Sequence, residues 1–446
     1  MKGAPERWWA DGDGVGDLRG IAARLDHLAW LGVDALWLSP IYPSPLAHLG
    51  YAAHALGLRV LLDFVPCHTS IEHPWFREHP DWYILSPVDG PANNWAAAFG
   101  GPAWSPDPES GRWYLHSFYP EQPDLNWRNP QVVAAMHDAI RFWRRRGVDG
   151  FRLDAIDRLF KDERLRDEPP AAGDFPLPVY GDDAHLARLY HVHQPETIDA
   201  LAALRAPADG ALLVGEVFQP TAGIARYLDV LDLVFAFELL FAPWQVTRLR
   251  AAIEPAQRLR GLAWVLSNHD FDRLATRVGE QNLRSAALVL LTLPGASFVC
   301  QGDELGLPNG PSATPPWDRA GRDSMRNPMQ WDGGPGAGFT TGDPWLPLGS
   351  RPERNAAAQR EDERSLLHFY RCLLELRRGL GDNFRFLDTA PDVLAFERGA
   401  HVVAVNTSAQ PQLAPPLGDV VLETHEDALA AGELAPHAGA IARRRE

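Results

Sequence analysis

Apolar positions along the chain fall into two rhythms. Short runs, apolar along most of their length, occur at 33–41 (VDALWLSPI), 58–66 (LRVLLDFVP), 148–154 (VDGFRLD) and 211–218 (ALLVGEVF). Others follow at 231–238 (LDLVFAFE), 262–270 (LAWVLSNHD) and 297–304 (SFVCQGDE). Between most of them lie longer stretches with helical spacing, among them 18–32, 130–147 and 282–295. This alternation predicts parallel strands with covering helices, and strands apolar throughout fit a sheet buried on both faces. No glycine-rich phosphate turn follows an early strand, so a closed (β/α) barrel fits better than a doubly wound sheet. Seven strands are legible.

The rhythm changes after a helical stretch at 365–380. VLAFERG, HVVAVNTS and DVVLETH read as short strands with no helix between them, so 381–446 is expected to be a small antiparallel β domain. Residues 67–127 are rich in Pro, Gly and Asn and weakly periodic. They carry Trp75, Trp82, Trp95, Trp104, Trp113 and Trp127 out of sixteen tryptophans. Packing of a loop-rich inserted subdomain is the expectation for each of these rings, and flat surfaces for stacking sugar rings the alternative. The barrel would then comprise 1–66 and 128–380.

A chain of 446 residues is too long for one small core. Its formal charge of −16 argues against nucleic acid or an anionic membrane as partner, and fits a neutral or cationic small molecule. Three cysteines, Cys67, Cys300 and Cys372, give no disulfide framework. The N-terminal stretch lacks the apolar core of a signal peptide, and no apolar run is long enough to span a bilayer. A cytoplasmic protein is the expectation. Nothing in the chain indicates its oligomeric state.

Four predicted strands end in ionisable residues: Asp63 and His68, then Asp154, then Glu216, then His269 and Asp270. One such ending is ordinary capping, but four together point to chemistry at the C-terminal strand ends. A retaining glycosidase needs two carboxyl groups about 5–5.5 Å apart, one attacking the anomeric carbon and one exchanging protons. Asp154 and Glu216 suit these tasks. Arg152 lies two residues before Asp154, on the same side of the strand, where its charge keeps the attacker ionised. The apolar ALLVG before Glu216 favours a proton donor. Asp270 would be a third carboxylate, holding sugar hydroxyls and the developing positive charge.

DFVPCHTS, DGFRLDAID, GEVF and SNHDFDR, in this order, resemble the four conserved segments of the α-amylase superfamily, glycoside hydrolase family thirteen. QPDLNW (122–127) and GRDSMRNPMQWD (321–332) are similar to further segments of its oligo-1,6-glucosidase group. The resemblance implies a (β/α)₈ TIM-type barrel with an inserted subdomain after the third strand and a C-terminal β domain. It implies Asp154 as nucleophile, Glu216 as acid/base and Asp270 as transition-state stabiliser. Tyr51, Asp63, His68, Arg152 and His269 match residues around the sugar at the cleavage site, and Arg326 a substrate-side arginine. DGDGVGD (11–17) resembles a calcium loop, with Asp11, Asp13, the Val15 carbonyl and Asp17 as ligands; a structural Ca²⁺ or a solvated acidic turn are its two readings. Cys67 replaces an Asn that binds metal in many amylases, which argues against a second metal site. No cofactor is required for the chemistry.

Two segments are shorter than the family pattern. Trp9 is followed almost directly by Asp11, where a first barrel strand belongs. LGYAAHALGLRV joins Tyr51 to the next strand, with Ala52 where a sugar-binding Asp belongs and most of a second helix missing. The expectation is a barrel lacking its first strand and incomplete on the nonreducing-end side of the site. The function implied is a retaining glycoside hydrolase of α-glucosidase type acting on short oligosaccharides. In this group the residue after the nucleophile influences linkage preference, and the small Ala155 resembles members that prefer α-1,4 over α-1,6 bonds. The alternatives are a catalytically impaired relative with a truncated barrel, or a trehalose synthase or sucrose-active enzyme.

Overall fold

A computed structural model describes residues 14–40, 52–173, 177 and 185–444. In chain order its strands begin with β1 (Ala35–Leu38), β2 (Arg59–Phe64), β3 (Trp104–Pro106), β4 (Trp113–Leu115) and β5 (Gly150–Leu153). Then come β6 (Leu212–Gly215), β7 (Leu233–Phe235), β8 (Leu262–Val265) and β9 (Ala296–Phe298). All seven predicted β/α strands are present, each shorter than its apolar run. The ends of the runs leave the ladders and become the loops that carry Asp154, Glu216 and Asp270. The chain divides into two compact units, Val60–Phe235 and Met1–Arg59 with Ala236–Glu446.

In the first unit, β2, β5, β6 and β7 pair in that order as parallel neighbours. The register sets Asp63 beside Arg152 and Leu153 beside Gly215. The parallel crossover from β2 to β5 runs through the helix Pro130–Arg144. Asn129 caps it, accepting from the Gln131 amide, and Pro130 opens its first turn. It buries Val132, Met136, Ile140 and Trp143, one stripe of a 3.6-residue period. Gly215 closes β6 under a tight roof: a Cβ there would lie 2.5 Å from Leu231 and 2.9 Å from Ile156.

Within the same unit, β3 and β4 form an antiparallel hairpin. Trp95, Trp104, Ala103 and Leu115 are buried together, with Trp113 packed against them. Trp82 and Trp127 are buried as well. These rings hold the inserted segment together.

In the second unit, β8 and β9 are parallel neighbours, and the helix between them, Leu283–Thr292, is buried on nearly every side. The predicted helix over 18–32 divides into Leu18–Ala22 and Leu25–Leu31. At the break, Arg24 donates to the Gly338 carbonyl at 3.2 Å and lies over the Trp331 ring. The C-terminal part holds β10 (Phe384–Phe386), β11 (Val393–Arg398), β12 (His401–Asn406), β13 (Gln412–Leu413), β14 (Asp419–Glu423), β15 (Leu429–Ala430), β16 (Glu433–Leu434) and β17 (Gly439–Arg443). They make two antiparallel sheets, ordered β10-β11-β12-β17-β14 and β13-β16-β15. Val393, Ala395, Ala404, Leu434 and Ala440 form the core of this β region. No helix among the described residues is long and apolar enough to cross a membrane.

Candidate active site

Parallel pairing brings the C-terminal ends of β2, β5 and β6 side by side, and each ends in an acid. Asp63 is the penultimate residue of β2, Asp154 follows β5 directly, and Glu216 follows β6 directly. Arg152 projects among them and is 1% exposed. Its Nη1 donates to both Asp63 oxygens, at 2.9 and 3.0 Å, and to Asp154 Oδ1 at 2.5 Å. Its Nη2 meets Glu216 Oε1 at 2.6 Å. Burial alone would lower the proton affinity of this guanidinium, but Asp63, Glu216 and Asp154 carry it well above the ordinary arginine range. It is therefore a fixed cation, and a bidentate fork suits the task better than the point charge of a lysine.

The backbone seats both acids. The Asp154 amide donates to the Phe64 carbonyl, and the Glu216 amide to the Leu153 carbonyl. Ala155 then turns into the left-handed region at φ 48°, unusual for a residue with a Cβ. That turn points its amide at Glu216 Oε2, 3.2 Å away. The Asp154 side chain is 1% exposed and the Glu216 side chain 16%. One acid is thus sealed, and the other keeps a path to solvent, as proton exchange requires. His68 stands near Gln122, with 2.8 Å between His68 Nε2 and the Gln122 amide nitrogen, and packs edge-on to Phe118.

The second unit carries its own constellation. After β8 the chain reads Leu266-Ser267-Asn268-His269-Asp270. Asn268 Oδ1 accepts from the amides of Asp270 and Phe271, at 2.9 and 3.0 Å, and fixes the turn. Asp270 Oδ1 receives Arg322 Nη1 at 2.6 Å and Arg326 Nη2 at 3.0 Å. Arg326 also donates from Nε to the His269 carbonyl at 2.8 Å. Burial first, and the neighbouring Arg322 charge second, lower the proton affinity of Arg326. His269 meets the edge of Trp37 at a centroid distance of 5.8 Å.

Arg322 was not singled out by the motif, although GRDSMRNPMQWD contains it. Asp318 grips it at Nε (2.6 Å) and Nη2 (2.9 Å) and accepts from its amide. Burial acts to raise the Asp318 carboxyl, and Arg322 outweighs it, holding the group below its usual range. The signal was there: an Asp and an Arg four residues apart, in a stretch otherwise free of periodicity.

Of the expected site residues, the structure gathers Asp63, Arg152, Asp154 and Glu216 on one guanidinium. It gathers His269, Asp270 and Arg326 in the other unit. Tyr51, Asp11 and Asp13 lie outside the described residues. Asp17 caps the helix Leu18–Ala22, accepting from the Gly20 amide at 2.8 Å, and Val15 is exposed. Among the described residues no group of three or more His, Cys, Asp or Glu is arranged to hold a metal ion.

Comparison with known proteins gives a consistent picture. The alpha-amylase family, described as "Alpha amylase, catalytic domain", matches residues 8–53 and 48–381. The match restarts around Tyr51 and Ala52, where the sequence departs from the family pattern. A probable alpha-glucosidase of Rhizobium meliloti (strain 1021) is 36% identical, covering 87% of this chain and 84% of its own length. An oligo-1,6-glucosidase of Parageobacillus thermoglucosidasius is 32% identical, covering 83% of this chain and 80% of its own. Among solved structures, the alpha-glucosyl transfer enzyme XgtA superposes with a TM-score of 0.89 at 35% identity, covering 98% of this chain and 97% of that one. The trehalulose synthase MutB superposes with a TM-score of 0.88 at 27% identity, again covering 98% and 97%.

Proposed function

Because the chain belongs to the α-amylase catalytic-domain family, we propose that it hydrolyses short α-glucosides by a double displacement, with Asp154 and Glu216 as its two working carboxyls. It is a glycoside hydrolase acting on α-glucosidic bonds, and its fold is that of the family, of the α/β class. The described residues hold seven β/α strands where the family barrel has eight.

The observation that carries the proposal is the shared guanidinium. One buried guanidinium gathers the carboxyls of Asp63, Asp154 and Glu216 from neighbouring strand ends, which is where a double displacement needs its two acids. By the family resemblance Glu216 is the acid/base, and its side chain is the one of the pair that reaches solvent, as proton exchange needs. Asp154, sealed against the Arg152 guanidinium, is the nucleophile for the anomeric carbon. In the first step Glu216 protonates the departing oxygen while Asp154 forms the glycosyl ester. In the second, Glu216 takes a proton from water, which displaces Asp154 with retention. Asp63 anchors Arg152. Asp270, held by Arg322 and Arg326, matches the third carboxylate of the family pattern, the transition-state stabiliser. A calcium ion at 11–17 has no part in these steps.

The α-1,4 preference rests on the small Ala155 after Asp154, which resembles α-1,4-preferring members of the group. Transfer to a second sugar is the other outcome of the same glycosyl ester, and the likeness to XgtA and MutB favours testing it. The decisive experiment incubates purified protein with p-nitrophenyl α-glucoside and with maltose. Glucose release, lost by about 10⁴-fold or more in Asp154→Asn, supports hydrolysis. Longer oligosaccharides or trehalose from maltose would indicate transfer or isomerisation, and no turnover at all would refute the proposal.

A further inference from the structure

Two residues that carry side chains, Ala155 at φ 48° and His193 at φ 57°, sit in the left-handed backbone region and are joined through Asp157. Such conformations persist only where the surroundings over-determine them, and they gather at functional sites. Here the surroundings are explicit. Ala155 opens the short 3₁₀ turn Ile156–Arg158, in which the Arg158 amide donates back to the Ala155 carbonyl at 3.0 Å. The turn holds Glu216 twice. The Ala155 amide lies 3.2 Å from Glu216 Oε2, and the Ile156 amide donates to the Glu216 carbonyl at 3.3 Å.

The middle of that turn is pinned from behind. His193 donates its amide to the Asp157 carbonyl at 2.7 Å, and its Nε2 stands 3.5 Å from Asp157 Oδ2. On the other side of the ring, Nδ1 is 3.0 Å from the Tyr227 hydroxyl. Arg226 donates to the His193 carbonyl at 3.2 Å. Asp157 and Tyr227 are buried, and the His193 side chain is 9% exposed. Burial, opposed by Asp157 and aided by the charges of Arg188, Arg226 and Arg158, lowers the imidazole to about 4, so the ring is neutral near pH 7. With its one ring proton on Nε2, toward the acid, Nδ1 accepts from the Tyr227 hydroxyl. No step of the double displacement uses these three side chains, and burying them together is a costly way to fill a core.

We propose that Tyr227, His193 and Asp157 form a positioning chain that fixes the turn at Ala155 and, through it, aims Glu216 at the departing oxygen. The proposal rests on Glu216 as the proton donor of the reading given above. It assigns the three residues no contact with substrate. Their loss matters most where the leaving group needs a proton. A sugar alkoxide departs only when protonated, whereas p-nitrophenolate is a weak base that departs with little help.

The test compares kcat/KM for maltose and for p-nitrophenyl α-glucoside in the wild type, Asp157→Asn, His193→Asn and Tyr227→Phe. Asparagine tolerates the left-handed backbone at 193, so that variant removes the ring without straining the chain. The maltose-to-p-nitrophenyl ratio should fall about tenfold in Asp157→Asn and His193→Asn, and about threefold in Tyr227→Phe, which removes a single hydroxyl and carries the comparison if the other two fail to fold. An unchanged ratio, whether both values fall together or neither moves, overturns the proposal. If the wild type turns over neither substrate, the hydrolase reading has failed instead, and amide hydrogen exchange decides the chain separately. Exchange about tenfold faster over 155–158 in His193→Asn, with 150–153 unchanged, supports it. Exchange that is unchanged, or faster in both segments, overturns it.

Discussion

Asp154 and Glu216 share one guanidinium: Arg152 meets Asp154 Oδ1 at 2.5 Å from one terminal nitrogen and Glu216 Oε1 at 2.6 Å from the other. The two acids arrive from adjacent parallel strands, and the arginine between them sets their separation and charge balance. Asp63 shares the Nη1 end of the fork with Asp154.

Arg152→Lys keeps the charge but not the fork, since a single ammonium cannot span both acids. We expect a folded protein whose kcat/KM falls about 100-fold or more. Arg152→Ala strands buried carboxylates and costs about 3–5 kcal/mol of stability, read from urea unfolding. With the cation gone, the carboxyls hold protons more readily, so the acid limb of the rate profile moves to higher pH. A lysine variant as active as the wild type would separate Arg152 from the chemistry.

Asp318 acts through Arg322 on Asp270. Asp318→Asn keeps the shape and loses the charge that grips the guanidinium. Steady-state kinetics should show kcat down about tenfold with KM nearly unchanged, because the loss is in a group that works in the transition state. A drop confined to KM would point to substrate binding alone.

Asp303 is buried in the second unit, hydrogen-bonded to Ser267, and burial pushes its carboxyl up to about 7. Its folded-state proton affinity exceeds that of the unfolded chain. Its contribution to stability is therefore full below about pH 4 and is lost as pH rises toward 7, on the order of 4 kcal/mol across that window. Asp303→Asn is a neutral isostere and should remove this slope. Thermal melts from pH 4 to 8 check it: the wild-type-minus-variant difference should grow less favourable with rising pH, and parallel curves would refute the assignment.

Much of the fold was legible because burial repeats along the chain. The apolar runs gave seven strands, and the break in alternation after 365–380 gave the antiparallel C-terminal region. The boundaries were less legible. The run at 33–41 became a strand only at 35–38, and the helical spacing over 18–32 was cut at Arg24, which turns away to Gly338 and Trp331. Local periodicity cannot see partners three hundred residues away.

The chain's own order of residues determined that acids would stand at the ends of β2, β5 and β6, that Arg152 would share a face with Asp154, and that the motifs would be those of an α-glucoside hydrolase. The first two follow from strand period and residue chemistry, and the third from resemblance to a known family. Only the tertiary structure decided that one guanidinium joins Asp63, Asp154 and Glu216, that Glu216 keeps access to water while Asp154 is sealed, and that Asp318 and Arg322 stand behind Asp270. Hydrogen bonds and burial depend on which distant segments pack together, and that is a property of the folded chain rather than of any stretch of it.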